Sequence, residues 1–519
     1  MRDHTMSEQF GAKAMLRSAL LMTGSTYVAY AAGLVASMLV ARGLGPADFG
    51  RYAYLIWLSG VLVLLMNNGL TTSAIRFVSE SLGRNDHTGA QALHRWFQKR
   101  QGWSVVAVGT LFLLGLPILK PAGWEGHLAY FALVALLASA AKAWYLFSIS
   151  VAKGHGRFGV EASSVSVLSL VNLIGAGVLA ALGVPLEGFM LLFLVVSVAH
   201  PLMATFQLRR ANIRKGGRDC EESLLQRVRP HLFWTMVSTL VFAFSNKSVE
   251  TFLLNKLAGP EAVGFFTIAA TLTRGGVELL STGLTTVLMP MMANAFGAGG
   301  RDRVNRIAGD AVRYFHFLGL LLTGVGFFWA TPVIALMYGE KYAPTAFALQ
   351  MMVIIRGFTL SHAAFSALLS ITDNQRLRAA ESVFAVVVSV LTALWLVPRY
   401  GLMGAIYAHM VSTAAVFLFA FGCVRMVLKV PLPYGDGARM TAAALSAAAV
   451  SMGALIATDA PSALHQILVG VLYVLTYLAC TLVFKVWNQY DLAMLGNLGN
   501  RIPAFKRLAF LLVPWARHI

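Results

Sequence analysis

The stretch Leu254–Thr286, LNKLAGPEAVGFFTIAATLTRGGVELLSTGLTT, decides the fold because it repeats an earlier part of the chain. Shifted back by 214 residues without a gap, it falls on Val40–Thr72, VARGLGPADFGRYAYLIWLSGVLVLLMNNGLTT. A Gly-Pro pair with a glycine four residues later matches at one end, and Gly-Leu-Thr-Thr matches at the other. Identities at both ends of a helix-length segment indicate two related halves of one membrane protein.

The two repeats differ in charge in their middle. Arg274 falls opposite Gly60, and Glu278 falls opposite Leu64. The second repeat therefore carries ionisable groups inside an apolar span where the first repeat has none.

The composition indicates a polytopic membrane protein. Of 519 residues, 58% are hydrophobic and only 12% are charged, with a mean hydropathy of +0.70, which excludes an ordinary soluble domain. The net charge of +19 lies in short loops between apolar spans and forms no aromatic-interleaved groove, so no nucleic-acid partner is expected. Three widely separated cysteines lack metal-ligand spacing, and no metal site is predicted.

The sequence predicts about fourteen transmembrane helices, each near the ~20 residues that cross a bilayer. Their limits are 19–41, 52–75, 103–119, 128–150, 162–182, 186–206, 233–256, 262–289, 314–338, 344–371, 380–397, 402–424, 440–458 and 466–486. The polar N-terminus has no cleavage site before the first span, which is interpreted as a retained helix.

The basic residues give the orientation. Only six of the 41 Lys and Arg residues fall in loops on one side of the membrane, and most of the others fall on the opposite side. Those six are Arg42, Arg51, Lys120, Lys256, Lys341 and Arg399. The positive-inside rule then predicts that both termini are cytoplasmic and that these six residues face the periplasm.

The predicted organisation has two pseudo-symmetric six-helix lobes and two further helices. Residues 1–206 form the N-lobe, 207–231 a basic cytoplasmic linker, 232–424 the C-lobe, and 425–519 the last two spans with a cytoplasmic tail. The linker is interpreted first as a positive-inside anchor, with lipid-headgroup binding or regulation as the alternative.

Ionisable residues inside the spans are the candidate functional residues, because each costs about 2.5–3.5 kcal/mol near the bilayer centre. They are Lys142, Lys247, Glu250, Arg274, Glu278, Arg356 and His362. Three of the cations fall near the middle of the membrane and predict one site: Lys142, Arg274 and Arg356.

Each candidate has a structural alternative. Arg274 with Glu278, and Lys247 with Glu250, are spaced to form ion pairs along one helix face. Lys142 could snorkel towards the cytoplasmic surface, and His362 is more simply a hydrogen-bonded core histidine. The excess of positive charge favours an anionic substrate such as a phosphate or pyrophosphate, which arginine binds with forked donors.

Other motifs have structural interpretations. The Gly-Pro pairs at Gly45 and Gly259 predict periplasmic helix reversals, and the Gly-Leu-Thr-Thr repeats predict close helix contact. Pro290 and the glycines at 297–300 are expected to end the eighth span. No phosphate-binding GxxxxGK[ST] loop is present, and no catalytic residue is predicted.

Five stretches resemble the polysaccharide transporter family of the MOP superfamily, the Wzx-type flippases of O-antigen and exopolysaccharide units. They are RGLGPADFGRYAYL (42–55), NNGLTTSAIRFVSE (67–80), AKGHGRFG (152–159), GPEAVGFFTIA (259–269) and SITDNQRLRAAE (370–381). The resemblance covers nearly the whole chain. It implies two six-helix lobes around a central cavity and alternating access in the bacterial inner membrane. The implied substrate is an undecaprenyl-pyrophosphate-linked oligosaccharide that moves from the inner to the outer leaflet.

The resulting expectation is a transporter without a bound cofactor. It is expected to contact membrane lipids, and polysaccharide polymerase and chain-length proteins are expected as further partners. Lys142, Arg274, Arg356 and Lys247 are expected to bind the substrate. Glu250, Glu278 and His362 are the candidates for coupling to H⁺ or Na⁺, although a uniport remains open. The alternatives are a peptidoglycan-precursor flippase, a MATE-like multidrug or cation antiporter, and a membrane glycan polymerase or ligase, which the short outer loops disfavour.

Overall fold

The computed structural model is all-α, as the sequence predicts. It describes residues 12–213, 216, 220–245, 248–371, 375–458, 462–487 and 491, and this part of the chain contains fifteen α-helices and no strand. The prediction of an all-α polytopic membrane protein is confirmed.

The helices follow one another with short connections. They are α1 (Ala12–Leu44), α2 (Pro46–Asn67), α3 (Leu70–Gly83), α4 (His87–Leu119), α5 (Leu128–Gly154), α6 (Gly159–Ala181), α7 (Leu186–Arg210), α8 (Glu222–Ser245), α9 (Ser248–Thr273), α10 (Leu279–Tyr338), α11 (Pro344–Phe358), α12 (His362–Ile371), α13 (Gln375–Gly422), α14 (Tyr434–Ile456) and α15 (Ala463–Val483). Two π-helical turns, Arg274–Glu278 and Cys423–Val427, and a 3-10 turn, Glu340–Tyr342, lie between helices.

Ten helices of the described chain are long and apolar enough to span a membrane, or eleven if the bent pair of α11 and α12 is one span. One of the ten, Arg376–Val427, has 52 residues and contains both predicted spans 380–397 and 402–424. The chain bends between them at Gly401, where φ is 54°. Predicted span 7 includes residues 246–247, which lie outside the described residues.

The second predicted span is not one continuous helix. Asn68 and Gly69 both have left-handed backbone, with φ values of 48° and 75°, and they separate α2 from α3. A Cβ on Gly69 would lie 2.8 Å from Cγ2 of Thr235 in α8. The close helix contact predicted for Gly-Leu-Thr-Thr is therefore present in the first repeat, and it coincides with a helix break that the sequence reasoning missed.

The eighth predicted span, in contrast, continues beyond its predicted end. Neither Pro290 nor the glycines at 297–300 interrupt the helix, because α10 continues from Leu279 to Tyr338. The expected helix end is wrong at this point. Inside a helix, glycine costs about 1 kcal/mol and proline about 3 kcal/mol relative to alanine, so neither residue type by itself has to end the helix.

By its contacts the chain forms two compact units. Unit 1 contains Met1–Ile268, Met337–Tyr342 and Ser382–His409. Unit 2 contains Ala269–Leu336, Ala343–Glu381 and Met410–Ile519. The predicted division into lobes, linker and terminal helices stays a prediction.

In unit 2, the last two helices pack against α10. The hydroxyls of Tyr473 and Tyr477 donate to the main-chain oxygens of Leu320 and Phe317 at 2.9 and 3.2 Å. Gly324 faces the Tyr473 ring so closely that a Cβ would overlap it. Buried apolar side chains of α10, α14 and α15 form one cluster.

A buried ion cluster connects α10 to the start of α14 and to the segment that follows α15. The guanidinium of Arg313 donates to Asp491, which follows α15, and its Nε lies 3.7 Å from a carboxylate oxygen of Asp436 at the start of α14. Tyr314 also donates to Asp491 at 2.5 Å. Arg313 is 5% exposed and Asp491 is 3% exposed, so the pair is held away from water.

Candidate functional site

Arg274 and Arg356 lie on neighbouring elements of unit 2. Arg274 begins the π-helical turn between α9 and α10, and this turn packs against α11, with Cα atoms within 8 Å. Arg356 is in the last turn of α11. Arg274 is exposed and Arg356 is half-buried. π-helical turns occur frequently at functional sites, so the arrangement fits the predicted cationic site.

Two predicted residues cannot be placed in the same way. Lys247 lies outside the described residues, and so does the side chain of Glu278. The ion pairs expected for Arg274 with Glu278 and for Lys247 with Glu250 stay predictions.

Lys142 has an aromatic partner. It lies in α5 of unit 1, with Nζ 4.7 Å from the ring centroid of Phe193 in α7. The Phe193 ring packs edge-on against Tyr52 at 6.4 Å. A cation over an aromatic face is stabilised by the ring quadrupole. Lys142 lies in unit 1, whereas Arg274 and Arg356 lie in unit 2.

Glu250 has a hydroxyl partner from a distant part of the chain. It lies in the first turn of α9 and is 1% exposed. The Ser389 hydroxyl of α13 donates to its Oε1 at 2.9 Å, and both residues belong to unit 1. A buried carboxylate with a hydroxyl donor can hold an exchangeable proton or cation.

His362 pairs with a carboxylate. Its Nε2 lies 2.6 Å from Oε1 of Glu381, within unit 2. It stands at the 46° bend between α11 and α12. The hydrogen bond of the simpler expectation is present, but the His362 side chain is 32% exposed, so it is not a core histidine. Glu381 was missed because a partner 19 residues away has no helical spacing, although an acid inside predicted span 11 is a signal that could have found it.

A second feature missed by sequence reasoning is the contact between the two Gly-Pro turns in unit 1. A Cβ on Gly50 would overlap the main-chain oxygen of Pro260. Reciprocally, a Cβ on Gly264 would lie 3.2 Å from the main-chain oxygen of Pro46. The repeat itself was the available signal, since equivalent motifs can meet where two related halves face each other.

A third missed feature joins α3 to α8 near the linker. Arg227 and Arg84 both donate to Oε1 of Glu80, at 2.8 and 2.6 Å. Arg76 donates to Nδ1 of His231 at 3.0 Å. The hydrogen bond from Arg227, together with the positive charge around it, lowers the pKa of Glu80 below its ordinary value.

In the part of the chain that the structure describes, no three His, Cys, Asp or Glu side chains group as metal ligands. The expectation of no metal centre stays a prediction.

The family model for polysaccharide biosynthesis proteins matches residues 15–296, more than half of the chain. The chain belongs to the polysaccharide biosynthesis protein family. This confirms the resemblance of the five quoted stretches to a polysaccharide transporter family. A search of curated protein sequences found no match.

Solved structures of transporters share the fold of this family member. The lipid II flippase MurJ, in an inward closed conformation, has a TM-score of 0.71 at 15% identity, over 90% of this chain and 98% of that one. An inward-facing multidrug resistance MATE transporter of the MOP superfamily has a TM-score of 0.60 at 16% identity, over 77% and 95%. A Vibrio cholerae MATE transporter has a TM-score of 0.55 at 17% identity, over 81% and 98%. The protein is thus a multi-pass membrane protein with a MOP transporter fold.

Proposed function

We propose that this family member is a flippase for an undecaprenyl-pyrophosphate-linked oligosaccharide repeat unit. It would move this substrate from the inner to the outer leaflet of the bacterial cytoplasmic membrane, for O-antigen, exopolysaccharide or capsule biosynthesis. The observation that carries the proposal is the pair of arginines on adjoining elements of unit 2, in a chain of the polysaccharide biosynthesis family.

The chemistry of the two arginines suits a pyrophosphate. A guanidinium presents five N–H donors in a planar fork and stays charged at every physiological pH. Arg274 and Arg356 would bind the pyrophosphate in a cationic cavity that opens to alternate sides, while the lipid tail stays in the bilayer. Lys142 and Lys247 would add positive charge and weaker, less directional contacts.

The proposed topology has both termini in the cytoplasm. An inside-negative potential then favours outward movement of the anion by about 2.3 kcal/mol per charge per 100 mV. Polysaccharide polymerase and chain-length proteins would act on the product at the outer face.

Coupling to H⁺ or Na⁺ would use the carboxylate and imidazole side chains within the spans. Glu250, with its Ser389 partner, is buried enough for protonation to change its local contacts. His362, whose Nε2 lies 2.6 Å from Oε1 of Glu381, is the second candidate, and Glu278 is the third.

A peptidoglycan-precursor flippase is the second candidate function. The similarity to MurJ over 90% of this chain favours it, since that protein is described as a lipid II flippase. A MATE-like drug or cation antiporter fits less well, because the predicted site is cationic.

Deletion of the gene, followed by analysis of lipid-linked intermediates, tests the proposal. We expect a lipid-linked oligosaccharide to accumulate on the cytoplasmic side and surface polysaccharide to disappear. Complementation with wild-type protein should restore the polymer. Accumulation of a peptidoglycan precursor instead would favour the second candidate, and an unchanged lipid pool would contradict both.

A further inference from the structure

The start of α8 packs against α3 in unit 1 through an apolar side and a polar side. Val228 is fully buried in the apolar cluster that α8 shares with α3, α4 and α5. On the neighbouring side of α8, His231 accepts from Arg76 of α3, with Nδ1 at 3.0 Å. One turn earlier in α8, Arg227 donates to Oε1 of Glu80 at 2.8 Å. The apolar packing therefore holds the polar residues of α8 beside those of α3.

These polar contacts bring together more positive than negative charge. Arg84 also donates to Oε1 of Glu80, at 2.6 Å, so two guanidinium groups share one carboxylate oxygen. The acceptor of Arg76 is an imidazole nitrogen, which accepts a hydrogen bond only when it carries no proton. Within these described contacts, three guanidinium groups meet one carboxylate, and two positive charges are left uncompensated.

The three arginines are accessible to a further ligand. The side chains of Arg84 and Arg227 are 62% and 48% exposed, and Arg76 is also exposed. A guanidinium has five N–H donors, and each of the described hydrogen bonds uses one of them. Donors therefore remain on all three groups for an additional anion.

Two exposed aromatic side chains indicate the depth of these arginines relative to the membrane. Phe233 and Trp234 are 53% and 68% exposed, and they stand where predicted span 7 begins on the cytoplasmic side. Such aromatic residues are enriched at the membrane–water interface, where their rings lie at the level of the headgroups. Arg227 precedes Trp234 by seven residues, which is about 10 Å of helix. The arginines are therefore within reach of the phosphate groups of the cytoplasmic leaflet.

We propose that the α3–α8 arginine cluster, Arg76, Arg84 and Arg227, binds the phosphate of an anionic phospholipid in the cytoplasmic leaflet. Guanidinium groups bind phosphate through paired donors, and basic pockets between helices on the cytoplasmic side are typical headgroup sites. Glu80 holds two of the guanidinium groups in place and limits the net charge. The bound lipid connects the start of α8 to α3 and stabilises unit 1. This site uses the predicted orientation of the chain and is independent of the proposed substrate.

The measurement is the Tm of the full-length protein in nanodiscs of phosphatidylcholine with a rising fraction of phosphatidylglycerol. We expect the Tm of the wild type to rise and then to level off, because a ligand of the folded state stabilises it. Arg76→Gln should need about fivefold more phosphatidylglycerol for half of this rise, which corresponds to about 1 kcal/mol. The change removes a charge but no ion pair among the described contacts, and glutamine can still donate to His231.

Arg229→Gln is the matched control. It removes the same charge from the start of α8, but the Arg229 guanidinium already donates to both carboxylate oxygens of Glu222, at 2.8 and 3.3 Å. We therefore expect a much smaller change in the dependence on phosphatidylglycerol. Equal changes in Arg76→Gln and Arg229→Gln would overturn the proposal, because only the overall charge of the cytoplasmic face would then matter.

Glu80→Gln distinguishes a binding site from a set of structural ion pairs. It removes the carboxylate that competes with the phosphate, so about fivefold less phosphatidylglycerol should give half of the rise in Tm. If the arginines have only a structural role, Glu80→Gln should instead lower the Tm equally with and without phosphatidylglycerol, and that result would contradict the site. This variant also decides the question if Arg76→Gln does not fold.

Two further ligands test the source of the phosphate. In phosphatidylcholine nanodiscs, inorganic phosphate should leave the Tm unchanged, and a rise equal to that with phosphatidylglycerol would show a site for soluble anions. A rise with undecaprenyl pyrophosphate but none with phosphatidylglycerol would assign the arginines to a transported lipid. Either result would overturn the proposal. The Tm does not depend on transport, so an error in the proposed function leaves the phosphatidylglycerol result unaffected.

Discussion

The two repeats have similar outer turns but different helices after those turns. In the first repeat, α2 is a regular helix that ends at Asn67, and the left-handed pair Asn68 and Gly69 comes next. In the second, a π-helical turn begins at Arg274, and the helix then continues through Gly283, the equivalent of Gly69.

The two halves share one structural role, the outer turn, and differ in the segment that follows it. The turns are alike because each must reverse the chain and pack against its counterpart. The middles have diverged: a Cβ added to Gly60 would meet nothing within 4 Å, whereas the equivalent residue in the second repeat is Arg274. We infer that the first repeat supplies a break in a helix and the second supplies charge.

The largest expected effect comes from making the second repeat resemble the first. Arg274→Gly should reduce surface polymer by roughly ten- to a hundredfold, the range for losing charge-assisted hydrogen bonds to a phosphate. The measurement is polymer per cell, normalised to the amount of protein in the membrane. Arg356→Ala should have a similar effect and Lys142→Ala a weaker one.

The matched control is Arg399→Ala, since this exposed arginine contacts only Trp395 of its own helix among the described contacts and should leave polymer unchanged. Adding Gly60→Arg to Arg274→Gly should not restore the polymer. Restoration would break the comparison, because it would mean that either repeat can hold the charge.

An intermediate effect is expected from Gly69→Ala. Its positive φ and the contact with Thr235 should destabilise the folded protein by about 1–3 kcal/mol. Thermal unfolding in detergent measures this loss. Gly83→Ala, at the other end of α3, has nothing within 4 Å of the added Cβ and should be near neutral. Equal Tm values for the two variants would contradict the assigned break.

The smallest effect concerns Glu80, which lies beyond the end of the first repeat. The same shift of 214 residues places the uncharged Asn294 opposite it. Because the folded pKa of Glu80 lies below the ordinary value of 4.5, its contribution to stability is present above that pH. It is lost as the pH falls through the folded pKa. The Tm difference between wild type and Glu80→Gln should therefore shrink below about pH 4.5, and it should be small throughout because the pairs are exposed. A difference that grows on acidification would contradict the pairing.

The sequence predicts the class, the repeat and the turns because these depend on composition and local chemistry. Gly45 and Gly259 occupy the conformations that Gly-Pro pairs predict. The close approach at Gly69 also follows from its residue type. These features need no knowledge of distant partners.

The contacts of the candidate residues could not be predicted in the same way. Phe193 beside Lys142, Ser389 beside Glu250 and Glu381 beside His362 all come from other helices, so no spacing along one helix reveals them. The π-helical turn at Arg274 depends on the packing of α11 as well as on the local sequence. The sequence shows which spans contain a charged residue. Which side chain contacts that residue depends on the tertiary structure.

The ion cluster at Arg313 has a consequence for biosynthesis. Its carboxylate partner Asp491 lies 178 residues further along the chain. While the ribosome is still translating that interval, the guanidinium must stay hydrated or paired elsewhere, because burying it alone is costly. The Arg313–Asp491 contact can therefore form only after residue 491 has been translated. Until then Asp436, 3.7 Å from Nε of Arg313, is the carboxylate that α14 offers to this arginine.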